Sequence, residues 1–137
     1  MHLVKDRTVR YAVKAVDHDA SAYQLARAMI GDTDREHLLA IFLNSQNAPI
    51  GTTIVAIGGI AGLQTTSREV FRAAIVAGAA AVVLAHNHPS GNATPSREDV
   101  AFTRTIVATG KLLGVPCVDH LVIGDGTYTS MAKEGLL

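Results

Sequence analysis

The chain has 137 residues, of which 48% are hydrophobic and 18% are charged. This length and composition indicate one globular domain with a core of its own and exclude a largely disordered chain. Twelve basic and twelve acidic side chains give a formal net charge of zero, which excludes a strong overall attraction to nucleic acid or to anionic membranes. The single cysteine, Cys117, excludes an internal disulfide.

The first third of the chain is predicted to contain two strands and one helix. Residues 8–16 can pair as a strand. Asp19 or Ser21 can cap an amphipathic helix that runs through "AYQLARAMIG" and ends at Gly31. A second strand is predicted at residues 38–43, where aliphatic side chains predominate.

The middle of the chain is predicted to form a strand, a helix and another strand. Residues 52–60, "TTIVAIGGI", have the composition of a strand. Thr66 and Glu69 have capping-box spacing at the start of a helix that Gly78 ends. Residues 79–86, "AAAVVLAH", are too short and too uniformly apolar for a separate helix, so they predict a strand that is buried on both faces.

The last third is predicted to add a helix and a hairpin. Ser96 opens an amphipathic helix that continues to Gly114. Residues 116–124 form the next strand, and the "GDG" turn at 124–126 indicates a hairpin into "TYTS". Together the elements predict an α/β (α+β) fold, a mixed β-sheet flanked by helices.

A polar cluster follows the most apolar of these strands, in "LAHNHPSGNATPSREDV". Because side chains alternate along an extended segment, His86 and His88 project from the same side of the strand end and Asn87 points away. Asp99 lies in the first turn of the next helix, where exposed amide groups favour the ionised carboxylate. Two imidazoles and one carboxylate, with a fourth position left to water, are typical of a catalytic zinc site. Spacing alone also allows ordinary loop histidines.

A hydrolytic zinc site also needs a general base and a group that stabilises an oxyanion. Ser96 can stabilise the oxyanion, and it can equally serve as the cap of its helix. The glutamates considered for the base are Glu36, Glu69, Glu98 and Glu134. Glu98 is expected on another helix face and Glu69 in a capping box, which leaves Glu36 at the start of a strand as the favoured base.

The cluster also resembles a known family. "HNHPSGNATPSRED" has the order His, any residue, His, seven residues, Ser, two residues, Asp, and this resembles the signature of the JAMM (MPN) metalloproteases. Asn87 and the string "HNHPSG" are similar to the RadC-like bacterial branch. The segments "REHLLAIFLNSQNAPIG", "SREVFRAAI" and "VDHLVIGDGTYTSMAKEGLL" are similar too, so the resemblance covers residues 34–137.

The resemblance implies a cytidine-deaminase-like α/β/α core and a set of site residues. His86, His88 and Asp99 are implied as ligands of one Zn²⁺ per chain. Glu36 is implied as general acid and base, and Ser96 as a residue that assists the oxyanion. The activity that the family implies is hydrolysis of peptide or isopeptide bonds by zinc-activated water.

The resemblance also bears on domain organisation. RadC-like proteins commonly carry a helix-hairpin-helix region before this domain. We expect residues 1–137 to form a single JAMM/MPN (RadC-like) domain, with residues 1–33 as an N-terminal extension packed on it and no helix-hairpin-helix region.

The sequence leaves three hypotheses about function. The first is a zinc-dependent metallopeptidase-like hydrolase, and the alternative is a non-catalytic zinc-containing module associated with DNA repair or mobile-element processes. Nuclease or deaminase chemistry is disfavoured, because deaminases use thiolate ligands in Pro-Cys-x-x-Cys. His120, next to Asp119, is interpreted as a structural residue or a partner of a ligand rather than as a ligand itself.

Partners and location are expected from general features. A peptide or protein is the expected substrate, and nucleic acid is weakly supported by an N-terminal basic cluster formed by Lys5, Arg7, Arg10 and Lys14. No membrane association is expected, because no apolar segment reaches the ~20 residues that cross a bilayer. An exposed edge strand makes a homodimer a reasonable expectation. The absence of a signal-peptide pattern favours the cytoplasm.

Overall fold

The computed structural model of the protein describes residues 11–59 and 63–137, without the side chains of 63–65. In chain order the elements are α1 (Asp19–Ile30), β1 (His37–Leu43), β2 (Pro49–Ile57), α2 (Leu63–Ala77), β3 (Ala81–Asn87), α3 (Arg97–Leu113), β4 (Cys117–Ile123) and β5 (Tyr128–Ser130). The strands form one sheet in the order β2, β1, β3, β4, β5, with β3 parallel to β4 and the other neighbours antiparallel. The predicted fold class, a mixed sheet flanked by helices, is confirmed. Among these helices none is long and apolar enough to cross a membrane.

The two central strands carry apolar side chains on both faces of the sheet. On β3, Val82 and Leu84 pack in the cluster formed with α2 and α3, whereas Val83 and Ala85 pack in the cluster formed with α1. Every residue of β3 is buried, as predicted, although the strand spans Ala81–Asn87 rather than the predicted 79–86. Since helices cover both faces, the strand needs no polar face, and this explains its continuous apolar sequence.

The strand pairing brings the start of β1 and the ends of β3 and β4 together at one edge of the sheet. β1 runs antiparallel to β3 with Leu38 opposite His86, so the residue that precedes β1, Glu36, lies at the C-terminal end of β3. β4 runs parallel to β3 with Ile123 opposite Asn87, so the turn after β4 lies at the same edge. The topology therefore gathers segments that are far apart in sequence.

The predicted cap of α1 is wrong, because His18 caps this helix. The Nδ1 atom of His18 accepts a hydrogen bond from the Ser21 backbone N–H, and Ser21 is the third helical residue of a capping box. Asp19 is the first helical residue, and its carboxylate is engaged by residues from the C-terminal part of the chain. The predicted end of the helix at Gly31 is confirmed.

The predicted start of α2 is wrong as well. The helix already includes Leu63, so Thr66 lies inside it rather than at its cap. The Thr66 side chain is buried, and Glu69 lies 3.7 Å from Arg72 in a pair three residues apart along the helix. The capping-box spacing was therefore produced by an inward-facing threonine and a surface ion pair.

Two strand predictions are also changed. Residues 8–10 lie outside the described residues, as do Lys5 and Arg7, and residues 11–16 form no strand. Instead the Val16 side chain is buried and its N–H donates to the Asn47 carbonyl. The strand predicted at 52–60 ends at Ile57, because Gly58 adopts a φ of 86° that does not continue a strand.

The C-terminal hairpin is tied to α1 by a polar contact. Tyr128 donates a 2.7 Å hydrogen bond to Asp19, and the Lys133 ammonium lies 2.9 Å from the same carboxylate. These two contacts lower the pKa of Asp19 to about 2, the tyrosine bond contributing most. The Tyr128 ring also stacks on Tyr23 with centroids 4.4 Å apart. The hairpin thus packs on α1 through the stacked rings of Tyr23 and Tyr128 and through the polar contacts of Asp19.

We predict that Tyr128→Phe lowers the free energy of unfolding by about 1 kcal/mol at pH 7, because the ring stack is kept and only the hydrogen bond is lost. A carboxylate whose folded pKa is lowered stabilises the fold above its unfolded pKa, and this contribution is lost as pH falls toward about 2. The difference in the free energy of unfolding between Tyr128→Phe and the wild type should therefore become smaller as the pH falls from about 4 to about 2. Denaturant unfolding at several pH values measures it, and a constant difference would contradict the assignment.

Candidate metal centre

His86 and His88 lie at the C-terminal end of β3 and point toward α3. The sequence alternation that sends Val82 and Leu84 to this face also sends the two histidines there. Their Nε2 atoms are 2.9 Å apart. The His86 side chain is fully buried, whereas 18% of the His88 side chain is exposed. One imidazole therefore lies inside the protein and the other at its surface.

Asp99 faces both imidazoles from the first turn of α3. Its two carboxylate oxygens lie 3.1 Å from His86 Nε2 and 3.1 Å from His88 Nε2. Burial by itself would raise the pKa of Asp99, but the interactions with His86 and with Ser96 outweigh burial and hold this pKa well below its usual range. The side chain is therefore a buried, ionised carboxylate at the end of the sheet.

The same carboxylate belongs to the cap of α3. Ser96 is the N-cap: its hydroxyl oxygen accepts from the Asp99 N–H at 3.0 Å, and its own N–H donates to Asp99 Oδ2 at 2.8 Å. This reciprocal pair satisfies two amide groups at the helix start. The prediction that Ser96 opens the helix is confirmed. Ser96 thereby orients Asp99, and its role toward an oxyanion stays a proposal.

Glu36 approaches from the start of β1. Its Oε1 atom lies 3.7 Å from His86 Nε2, and 29% of its side chain is exposed. The Asn87 side chain holds the chain on either side of it, accepting from the His37 N–H at 2.7 Å and donating to the Arg35 carbonyl at 2.9 Å. The Glu36 carbonyl accepts from Gly58 at 2.7 Å. Asn87 thus points away from the histidines, as predicted, and fixes the backbone of the glutamate.

The four predicted residues converge on one point. One atom from each of Glu36, His86, His88 and Asp99 lies within 4.8 Å of all the others. Ligands of a tetrahedral zinc ion, at bonds of about 2.0–2.1 Å, lie about 3.3 Å apart, so the two imidazoles and Asp99 are already at nearly this spacing. The cluster is therefore able to hold a metal ion.

The hydrogen bond made by His88 Nδ1 leaves the other ring nitrogen available to a proton or a metal cation. His88 Nδ1 donates to the Asn92 carbonyl at 2.8 Å, so a neutral ring carries a lone pair on Nε2. That lone pair faces the Asp99 carboxylate at 3.1 Å. Two acceptors at this distance repel unless a proton or a metal cation lies between them. The donor set of imidazole nitrogens and carboxylate oxygens suits zinc and other first-row divalent metals.

The loop after β3 is held against the end of β4. The His88 N–H donates to the Ile123 carbonyl at 2.8 Å, and the Asp125 N–H donates to the Gly91 carbonyl at 2.9 Å. Gly91 has a φ of 87°, which suits glycine. A Cβ atom on Gly124 would lie 2.3 Å from the Gly91 carbonyl oxygen. Close contact of these two glycine backbones thus sets the position of the loop that carries His88.

His120 lies behind His86, away from the surface. Its Nε2 is 2.8 Å from His86 Nδ1 and its Nδ1 is 2.6 Å from Thr103 Oγ1. Burial lowers the pKa of His120 well below its usual value, so this imidazole is neutral. It is absent from the four converging residues, which agrees with the expectation that it supports a ligand. Sequence analysis missed Thr103, although its position four residues after Asp99 places both on one helix face.

Two other polar groups, Asp119 and Cys117, lie toward the start of β4, away from the cluster, and have structural roles. Asp119 accepts from the Ser130 hydroxyl at 2.6 Å and from the N–H groups of His120 and Ala132 at 2.7 and 3.0 Å, which anchors the C-terminal segment. Burial raises the pKa of the Cys117 thiol to about 12, so this cysteine stays protonated and does not act as a metal ligand.

Comparisons with known proteins agree with this geometry. A family model described as "RadC-like JAB domain" matches residues 16–136. The chain is 45% identical to a UPF0758 protein of Moorella thermoacetica over 104 residues, which cover 76% of this chain and 45% of that protein. It is 42% identical to a UPF0758 protein of Desulforamulus reducens (77% and 47% covered) and 41% identical to one of Methanococcoides burtonii (84% and 50% covered). The chain spans about half the length of these curated relatives.

We predict that Gly124→Ala weakens binding of a divalent metal at this cluster by about tenfold or more and lowers the free energy of unfolding by about 1–3 kcal/mol, because the added methyl group displaces the loop that carries His88. Gly126→Ala is the matched control. Gly126 lies in the same turn at a φ of 66°, with nothing within 4 Å of an added Cβ. The control should therefore lose stability without losing affinity for the metal. Chelator competition measures the affinity, and equal affinities for the two variants would contradict the role assigned to the loop.

Proposed function

Because the chain belongs to the RadC-like JAB domain family, we propose that it is a zinc-dependent metallohydrolase that cleaves peptide or isopeptide bonds. The observation that carries the proposal is the convergence of His86, His88 and Asp99 with a second carboxylate, Glu36, beside them. Three protein ligands with one position left for water or substrate distinguish catalytic zinc sites from closed structural ones.

The ligand set proposed for zinc is His86, His88 and Asp99, with one ion per chain. Zinc held there supplies a Lewis acid that polarises a carbonyl and lowers the pKa of bound water to about 7. The role proposed for the protein is to fix these ligands. The cap of α3 holds Asp99, and the Asn92 carbonyl holds the ring of His88. Such outer hydrogen bonds orient ligands and strengthen metal binding.

Glu36 is proposed as the general base and acid. It is the most exposed of the four converging side chains, so it reaches both the metal site and a substrate. Its carboxylate accepts a proton from the attacking water and returns it to the leaving nitrogen. Ser96, at the start of α3, is proposed to donate a hydrogen bond from its hydroxyl group to the oxygen that becomes negative.

A polar cavity of about 230 Å³ lies beside His88, and its lining includes Arg27, Thr33, Asn87, His88, Ser90 and Asp125. His88 is the only one of the four converging side chains that lines this cavity, so we do not assign the reaction to it. A larger apolar groove of about 490 Å³ between α2 and α3 is lined by none of the four converging residues, so we do not assign the reaction to it.

The central test is a comparison of zinc content with hydrolysis. Wild-type protein should contain one zinc per chain and hydrolyse a member of a peptide and isopeptide panel, whereas His88→Ala should lose the metal. Glu36→Gln should keep the metal and lose turnover by about 10²–10⁴-fold, the usual contribution of a general base. Glu98→Gln is the matched control, because Glu98 is an exposed carboxylate next to Asp99 that is not among the converging residues.

Metal-free wild-type protein from a zinc-replete preparation would contradict the proposal at its first step. Zinc-loaded protein that hydrolyses no member of the panel would contradict the hydrolase, and the non-catalytic zinc module would then be the better account. Unchanged turnover in Glu36→Gln would remove this residue from the mechanism.

A second prediction concerns Asn87. Replacing it by alanine removes both hydrogen bonds that hold the backbone around Glu36. We predict that Asn87→Ala lowers kcat about tenfold or more while zinc affinity stays within about threefold of wild type, because the proposed ligands do not include Glu36. Parallel measurement of turnover and zinc affinity tests this, and a parallel loss of both would contradict it.

A further inference from the structure

A buried chain of hydrogen bonds links His86 to the first turns of α3. We define it as the relay, formed by His86, His120 and Thr103. His86 Nδ1 lies 2.8 Å from His120 Nε2, and His120 Nδ1 lies 2.6 Å from Thr103 Oγ1. The Thr103 hydroxyl donates to the Asp99 carbonyl at 2.8 Å. The relay therefore begins at one proposed metal ligand and ends on the backbone of another.

The relay differs from the support of His88. His88 Nδ1 faces a carbonyl, which only accepts, so its tautomer is decided locally. His86 Nδ1 faces another imidazole, whose nitrogen donates or accepts according to its own tautomer. Which ring nitrogen of His86 carries the proton therefore depends on the tautomer of His120, and that tautomer depends on the partner of His120 Nδ1.

The relay has two possible directions of hydrogen-bond donation, and the Thr103 hydroxyl determines which of them is adopted. A hydroxyl has one proton to donate, and the Thr103 hydroxyl lies within donating distance of the Asp99 carbonyl at 2.8 Å and of the Met131 sulfur at 3.5 Å. When the proton goes to either of these acceptors, the Thr103 oxygen accepts from His120, so that His120 carries its proton on Nδ1 and offers a lone pair on Nε2. His86 then donates from Nδ1, and its own Nε2 lone pair points to the other converging residues.

The opposite direction is incompatible with metal binding. If Thr103 donated to His120, the His120 proton would move to Nε2 and the His86 proton would move to its own Nε2. That proton would point at the cluster, where His88 Nε2 and Asp99 Oδ1 lie 2.9 and 3.1 Å away. A protonated nitrogen has no lone pair for a metal, so only the first direction prepares His86 as a ligand.

We propose that Thr103 and His120 are positioning residues that hold His86 in the Nδ1–H tautomer and thereby prepare its Nε2 for the metal. This inference rests on the metal site of the proposed function. His86, His120 and Thr103 are each fully buried, so bulk water does not replace a lost partner, and each proton depends on the next residue of the relay.

A matched pair of variants at Thr103 tests the proposal. Thr103→Val keeps the shape of the side chain and removes the hydroxyl, whereas Thr103→Ser keeps the hydroxyl. We expect Thr103→Val to bind zinc 10–100-fold more weakly than wild type in chelator competition, the usual effect of losing an outer-shell partner. Thr103→Ser should restore affinity to within about threefold of wild type, which a purely space-filling role would not predict.

Nuclear magnetic resonance of the wild-type protein gives a readout that does not depend on a variant. In the zinc-loaded protein, long-range correlation of ring hydrogens with ring nitrogens should show His120 protonated on Nδ1 and His86 protonated on Nδ1 with Nε2 bound to metal. Finding His120 protonated on Nε2 would overturn the proposal, whatever the affinity of the variants.

The outcomes separate this inference from the proposed function. Absence of zinc from the wild type contradicts the metal site itself. Equal zinc affinities of the wild type and Thr103→Val would overturn the relay and leave the metal site intact. Thermal unfolding must show that Thr103→Val and Thr103→Ser are both folded. Loss of affinity in Thr103→Val with rescue in Thr103→Ser supports the relay even if the substrate of the hydrolase is still unidentified.

Discussion

The convergence of two imidazoles and two carboxylates at one edge of the sheet is the constraint on which the other features of the site depend. Groups of this kind do not stay together without a cation or a shared proton, because the nitrogen lone pairs and carboxylate oxygens repel one another. The structure holds them within 4.8 Å by rigid elements: the end of β3, the start of β1 and the cap of α3. Each side chain comes from a position where the backbone is already fixed by a sheet or helix, so little ordering remains to be done when a ligand binds.

Asp99 shows how economically the fold combines stability and chemistry. The carboxylate satisfies the Ser96 N–H of the helix cap and faces both histidines. Stability of the helix start and geometry of the site are therefore coupled, and a substitution at Asp99 changes both. Asn87 couples two strands in the same way, because one amide side chain binds the backbone on both sides of Glu36.

The histidines have three different roles that follow from burial and partner chemistry rather than from residue type. His88 is partly exposed and its Nδ1 faces a carbonyl, whereas His86 is fully buried and its Nδ1 faces a second imidazole. His120 is buried and neutral and lies behind the other two. The motif in the sequence identified the first two as a pair but did not distinguish them.

Much of this arrangement depends on residues that are close together in the chain, and it could therefore be predicted from the sequence. The period-two alternation of β3 places His86 and His88 on one face, and Ser96 with Asp99 three residues later forms the cap of α3; both patterns involve neighbours in the chain.

Tertiary structure decided the rest. The start of α2 and the cap of α1 differed from prediction because Thr66 was drawn into the core and the Asp19 carboxylate was engaged by the C-terminal segment. The contact between Glu36 and His86 depends on antiparallel pairing across fifty residues, and the relay to Thr103 depends on packing of α3 against the sheet. Such contacts are set by which surfaces meet after folding, and short-range patterns carry no information about that.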